Sequence, residues 1–226
     1  MRWLRNLFRK RDLHCHADCF ATTQQQKWNV LADWVLSQIK IDKCVLVVAH
    51  FQSTFLENEE VLSRTGGEFQ VLSEQVTPGQ LHQSGLLQAG KVLLTMAPIL
   101  LPDPMSPSPV ASQSPSEFEL SVIVTERHPV ASRDVDLASF FRQCPPSASI
   151  GYLMSFEDPI RQRLLGKDFL NLLNQLGVGS HELISSTMTQ RALNRQLAKN
   201  TIDTNNEQPA ASPSEWLDLN LPDEAV

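Results

Sequence analysis

Apolar and polar residues along this chain change period several times, and each change marks an element. Trp28, Leu31, Ala32, Val35 and Ile39 recur at helical spacing. Thr23, three residues before Gln26, has the form of a capping box, so an amphipathic helix is predicted over residues 24–39. Cys44 to Val48 is a continuous apolar run of strand length, the pattern of a parallel strand covered on both faces. Thr54 and Glu57 offer a second capping box, Phe55 and Leu62 share a helical face, and Gly66-Gly67 supplies a left-handed stop. Phe69 to Leu72, Val92 to Met96, Ser121 to Val124 and Ile150 to Met154 read as further strands. The last two enclose a polar turn, Thr125 to His128, and a short helix through Leu137, Phe140 and Phe141, with Asp134 placed to cap it. Strands alternating with helices predict an α/β fold with βαβ crossovers and a doubly wound, mostly parallel sheet.

The pattern also divides the chain. Residues 1–17 form a basic segment, 18–166 the α/β domain, 167–200 a C-terminal helical extension and 201–226 an acidic tail. Within the domain, residues 101–117 are rich in Pro and Ser, a composition that cannot bury a core and reads as a surface insertion. In the extension, Phe169, Leu172, Leu173 and Leu176 form the stripe of one helix stopped by Gly177, and residues 184–199 predict a longer one. The tail has no periodicity and reads as disordered; Trp216-Leu217-Asp218-Leu219-Asn220-Leu221 is either a short partner-binding motif or a passive stretch.

Composition adds limits. The 226 residues are 42% apolar and 19% charged, enough for one substantial core. A net charge of −6 hides an asymmetry, because Arg2, Arg5, Arg9, Lys10 and Arg11 crowd one end. With Trp3, Leu4, Leu7 and Phe8 opposite them, they suit either helical turns on an anionic membrane surface or a solvated tail. No basic stripe follows, so specific nucleic-acid binding is not expected. No apolar run approaches the ~20 residues of a spanning helix, and the start lacks the apolar core of a signal peptide. Four cysteines at irregular spacing make no disulfide framework. A cytoplasmic protein, peripheral at most to the inner membrane face, is the expectation. His14, Cys15, His16 and Cys19 are weak metal candidates, since adjacent residues rarely converge on one ion and no paired knuckle follows.

The chemistry of a phosphate-driven motor is missing. No Gly-x-x-x-x-Gly-Lys-Ser/Thr loop is present to cradle phosphates, and no strand ends in an acidic pair that could hold magnesium. No ATP or other cofactor is expected unless a partner chain shares the site. His128, Asp134 and Ser155 could be written as a hydrolytic set, but no Gly-x-Ser-x-Gly elbow accompanies them.

Thr125-Glu126-Arg127-His128 and Ser155-Phe156-Glu157-Asp158 resemble, with no gap between them, the Thr-Glu-Arg-His and Leu-Ser-Met/Leu-Glu-Asp strings of SecA, the preprotein translocase motor. Asp18 through Lys27-Trp28 resembles the Asp-x-x-Tyr-x-Thr-x-x-x-Lys-Phe that leads into that family's second nucleotide-binding domain. Leu164 to Gly177 resembles the stretch before its scaffold helix, so the likeness spans roughly residues 18–200. It implies a RecA-like domain of helicase C-terminal type, with Glu126, Arg127, His128 and Asp134 as vestigial nucleotide- or partner-facing residues. The family's phosphate-sensing glutamine and arginines, however, fall on Asp136, Phe140 and Gln143, and its glycine-rich loop falls on Thr95 to Leu101. The resemblance therefore implies a non-catalytic relative that accompanies an ATPase, with a SecA-type motor the expected protein partner. The alternative is one half of a split ATPase whose phosphate loop comes from another chain.

Overall fold

The computed structural model describes residues 14–16, 18–101, 119–144, 148–163, 183 and 206–221. Its strands are β1 (His14–Cys15), β2 (Cys19–Ala21), β3 (Cys44–Ala49), β4 (Gln70–Leu72), β5 (Val92–Met96), β6 (Leu120–Val124) and β7 (Ala148–Ser155). The helices are α1 (Gln24–Ile39), α2 (Gln52–Arg64), α3 (Pro78–Gln83), α4 (Ala131–Gln143) and α5 (Pro213–Asn220), and a further helical turn covers residues 159–163. The strands form one sheet in the order β1-β7-β6-β3-β5-β4, with β2 also on β7 and every pair parallel.

Side-chain alternation explains the layers. Cys44, Leu46 and Val48 of β3 pack with Leu81 of α3 and Leu137, Phe140 and Phe141 of α4. Val45 and Val47, pointing the other way, pack with Leu31 and Val35 of α1 and Val61 and Leu62 of α2. The central strand is thus buried on both faces, as its unbroken apolar run predicts. Connections that run toward β4 carry α1 and α2 on one face. Those that run back carry α3 and α4 on the other, as crossovers of a single hand require.

Two local details position the site. On β7, Cys15 pairs with Ile150 and Cys19 with Leu153, so three residues of one strand lie opposite two of the other. The edge therefore carries a bulge, and Asp18 lies within it. At the other end of β3, the chain leaves into α2 on one face, while neighbouring β6 leaves into α4 on the opposite face. This divergence is the topological switch point, where open α/β sheets hold ligands.

Several expectations need amendment. Helix α1 starts and ends where its periodicity places it, with the Thr23 hydroxyl accepting the Gln26 N–H. Thr54, by contrast, is no cap: α2 begins two residues earlier with Phe51 at the N-cap and no side-chain cap bond of its own. Helix α3, with Thr77 and Gln80 forming a reciprocal capping box behind Pro78, is an element additional to those predicted from the sequence. Residues 206–221 are ordered against the domain, with Trp216 only 1% exposed, where their composition predicts disorder. The predicted helices over 167–200, all but Leu101 of the insertion and the arginines and lysine of residues 2–11 fall outside the described residues. Among the described residues, no helix is long and apolar enough to cross a membrane.

Candidate functional site

The carboxyl ends of β3, β6 and β7 carry most of the buried charge. His50 follows β3, Thr125 to His128 follow β6, and Asp158 follows β7. These groups survive burial only because each finds a partner.

Glu126 closes the switch point. Its Oε1 accepts the backbone N–H of His50 at 2.8 Å and of Phe51 at 3.0 Å, and its Oε2 accepts the Thr54 hydroxyl at 2.7 Å. The carboxylate therefore holds the two residues that lead into α2 and stands at the helix start, where the dipole favours negative charge. Burial pushes its pKa up, opposed by His50, Lys27 and the bonds from Thr54 and Phe51. Arg127 makes a fork on Asp18, with Nε and Nη2 each donating at 2.8 Å, while Nη1 donates to Asp134 at 2.9 Å. Its guanidinium lies 3.7 Å from the ring centroid of Tyr152. Burial works against the cation, yet Asp18, Asp134 and Tyr152 together raise its pKa.

Asp134 also meets His50 Nε2 at 2.9 Å. Burial alone would raise its pKa, but His50 and Arg127 bring it below the usual aspartate value. Asp134 is not the cap of α4, which has Val130 at that position. Nor do Glu126 and Arg127 pair across their turn; each reaches a different neighbouring element.

His128 accepts the Val130 N–H at Nδ1 (3.0 Å), stacks on Phe51 and meets the Trp216 ring edge-on. Burial, reinforced by His50, lowers its pKa to about 4, so the imidazole is neutral near pH 7. Lys27, fully buried on α1, donates to Asp158 at 2.9 Å, and Asp158 also accepts the Ser155 N–H at 2.8 Å. Glu157 accepts the first N–H of α1, from Gln24, at 2.6 Å. Arg161, 6% exposed, faces the Phe20 ring and Met154 sulfur, lies 3.7 Å from Asp158 and leaves Nη1 without a partner. Burial pulls its pKa down to about 10.

Two cavities open here. One of about 260 Å³ is lined by Asp18, Lys27, Glu57, Glu126, Arg127, Asp158 and Arg161, among others. Four carboxylates face three cations, a balance unfavourable to a phosphate. The other, about 500 Å³, lies between Pro98, Leu100 and Leu101, the start of α4, and Pro209, Ala210 and Trp216.

Glu126, Arg127, His128 and Asp134, singled out from sequence, are thus brought together. The hydrolytic set is not: the Asp134 carboxylate bonds the His50 ring, while Ser155 Oγ, fully buried, accepts the Glu157 N–H at 3.0 Å. Phe140, at the position matched to an arginine, is a core residue packed edge-on to Phe141, and Asp136 is exposed. His16 is exposed and Cys19 half-buried, with burial raising its thiol pKa. Among the described residues, no group of three or more His, Cys, Asp or Glu could hold a metal.

No family model and no curated protein matches the chain. Geometry and chemistry must carry its functional reading.

Three members of the site escape sequence reasoning. His50 and Arg161 carry no motif, and their roles depend on which loops meet. Glu207, which lines the larger cavity 3.6 Å from His128 Nε2, does have a signal nearby: Ser212 with Glu215 three residues on and Pro213 at the first helical position predicts a helix start, which the tail's polar composition outweighs.

Proposed function

We propose that this chain is a non-catalytic module related to the second RecA-like domain of SecA, acting as an accessory, regulatory or scaffolding partner of a motor ATPase in the cytoplasm. One observation carries the reading: the charged groups around the switch-point crevice are taken up by one another. Glu126 takes the His50 and Phe51 N–H groups just ahead of α2 and sets a negative charge at the helix start, which opposes an incoming phosphate. Arg127 is committed to two carboxylates. Residues 206–221 pack over Phe51, Val130 and Ile160 beside it.

Kinship with the motor is supported by which residues meet. Asp18, Lys27, Glu126, Arg127, Asp134 and Asp158 are far apart in sequence and all belong to the matched strings. Five of them join in two ion-paired sets, Asp18–Arg127–Asp134 and Lys27–Asp158, and Glu126 lines the same cavity as Asp18, Lys27, Arg127 and Asp158. What is retained is the scaffolding of that crevice, while the phosphate-sensing position is a core phenylalanine. A scaffold kept without its chemistry suits a binding role. The split-ATPase alternative needs an arginine free to reach a partner's nucleotide, and Arg127 is already held by three charge-assisted bonds.

Mixing the chain with a purified SecA-type motor tests the reading. The expected results are a stable complex by calorimetry, a motor hydrolysis rate changed at least twofold, and no binding of a fluorescent ATP analogue by the chain alone. Micromolar binding of that analogue by the chain alone would overturn it. Hydrolysis that requires both chains, neither being active by itself, would establish the split enzyme instead.

A further inference from the structure

Residues 206–221 form a unit closed largely on itself. The Ser212 hydroxyl caps α5 by accepting the Glu215 N–H at 3.2 Å, and Glu215 reaches back to accept the Ala211 N–H at 2.7 Å. Asn220 accepts the Gln208 N–H at 2.8 Å and donates to the carbonyls of Gln208 and Trp216, both at 3.0 Å. Glu207 accepts the Trp216 indole N–H at 3.0 Å. None of these bonds involves the α/β domain.

Contacts with the domain are of another kind. At the rim, Arg133 donates to Glu207 at 2.8 Å, Arg163 to the Leu221 carbonyl at 2.7 Å, and the Ser53 N–H to the Ala211 carbonyl at 2.9 Å. Inside, Trp216, Leu217 and Leu221 are buried with Phe51, Val130 and Ile160. A preorganised short helix, one aromatic anchor in a pocket and polar contacts around it make up helix-in-groove docking. The charges agree: Arg133 and Arg163 stand on the groove side, and Glu207, Glu215 and Asp218 on the occupant.

We propose that the groove formed by Phe51, His128, Val130 and Ile160 is a docking site for a short helical peptide of a partner protein, one with a tryptophan anchor and an acid that reaches Arg133. Residues 206–221 are its resident competitor. The proposal stands on the contacts of this segment and not on kinship with a motor, so either can fail without the other. Because the resident is tethered, its effective concentration is on the order of millimolar, and an incoming peptide must outcompete it.

The test uses the full-length chain and a fluorescein-labelled peptide of residues 206–221, followed by anisotropy. Replacing Trp216→Ala in the chain weakens the resident and frees the groove. The labelled peptide is expected to bind this variant at least tenfold more tightly than the wild type. Binding should disappear when the peptide itself carries Trp216→Ala, and weaken several-fold when the chain also carries Arg133→Glu. Equal affinity for both chains, or no binding to a variant that keeps the wild-type circular dichroism, overturns the proposal.

Should the variant not fold, hydrogen exchange of the wild type decides. Amides of residues 216–221 are expected to exchange at least tenfold faster than those of Leu46 and Val122, reporting release of the segment while the sheet stays folded. Equal protection overturns the proposal. A wild-type dimer at micromolar concentration, joined by exchanged segments, would overturn it in favour of a second copy as occupant.

Discussion

The loops after β5 and β6 leave the same end of the sheet on either side of β3, and they are opposite in character. After β6, Thr125, Glu126 and His128 are buried polar groups, the first bonded to Asn58 of α2, the second to the residues ahead of α2 and the third to the Val130 N–H. After β5, Met96 to Leu101 make a 3₁₀ turn that bonds through its backbone to Val76 and turns Leu100 into the core. The comparison teaches that this end of the sheet is sealed twice, once by paired charge and once by carbon.

Breaking the charged seal should cost most. Arg127→Ala strands Asp18 and Asp134 without their shared cation, and removing one member of a buried pair destabilises by about 3–5 kcal/mol. Urea denaturation should show the midpoint falling accordingly; a loss below about 1 kcal/mol would mean that the fork is a surface ornament.

Acid should open the same loop more gently. His128 stays neutral down to about pH 4 in the folded chain, whereas an unfolded imidazole takes a proton near its ordinary value of 6.5. The unfolded state therefore binds more protons between those values. Stability is lost as pH falls from 6.5 to 4, by an amount on the order of 3 kcal/mol. His128→Gln should remove that part of the slope while leaving the contributions of the carboxylates, so unfolding curves of both chains at pH 7 and pH 4.5 isolate the imidazole. Parallel slopes would contradict the assignment.

The apolar seal should be cheaper to damage. Leu100→Ala deletes a nearly buried side chain at the margin of the larger cavity, where neighbours can settle, and should cost about 2 kcal/mol by thermal unfolding. If it costs more than Arg127→Ala, carbon and not charge holds this end of the sheet together.

The sheet was legible in the sequence because it depends on period. The alternation of β3 between two core clusters and the stripe of α1 follow from side-chain direction alone. The site was legible only in part. Thr125 to His128 stand out as a polar turn after a buried strand, but nothing local tells Glu126 to reach the start of α2 or Arg127 to reach the bulge at Asp18. Those partnerships span 75 and 109 residues and exist only once the strands are ordered. Thr54 misleads for the same reason: its capping pattern is genuine locally, but the Glu126 carboxylate, which follows β6, claims its hydroxyl. The tail misleads through composition, since one tryptophan and two leucines outweigh many acids when a pocket awaits them.

The bulge between β1 and β2 has a mechanical consequence. A strand of uniform spacing can slide two residues along its neighbour and still point the same side chains inward. This outer strand cannot, because its halves keep different spacings against β7 and any slide would misalign one of them. The amino-terminal end of the sheet is thereby indexed to a single notch.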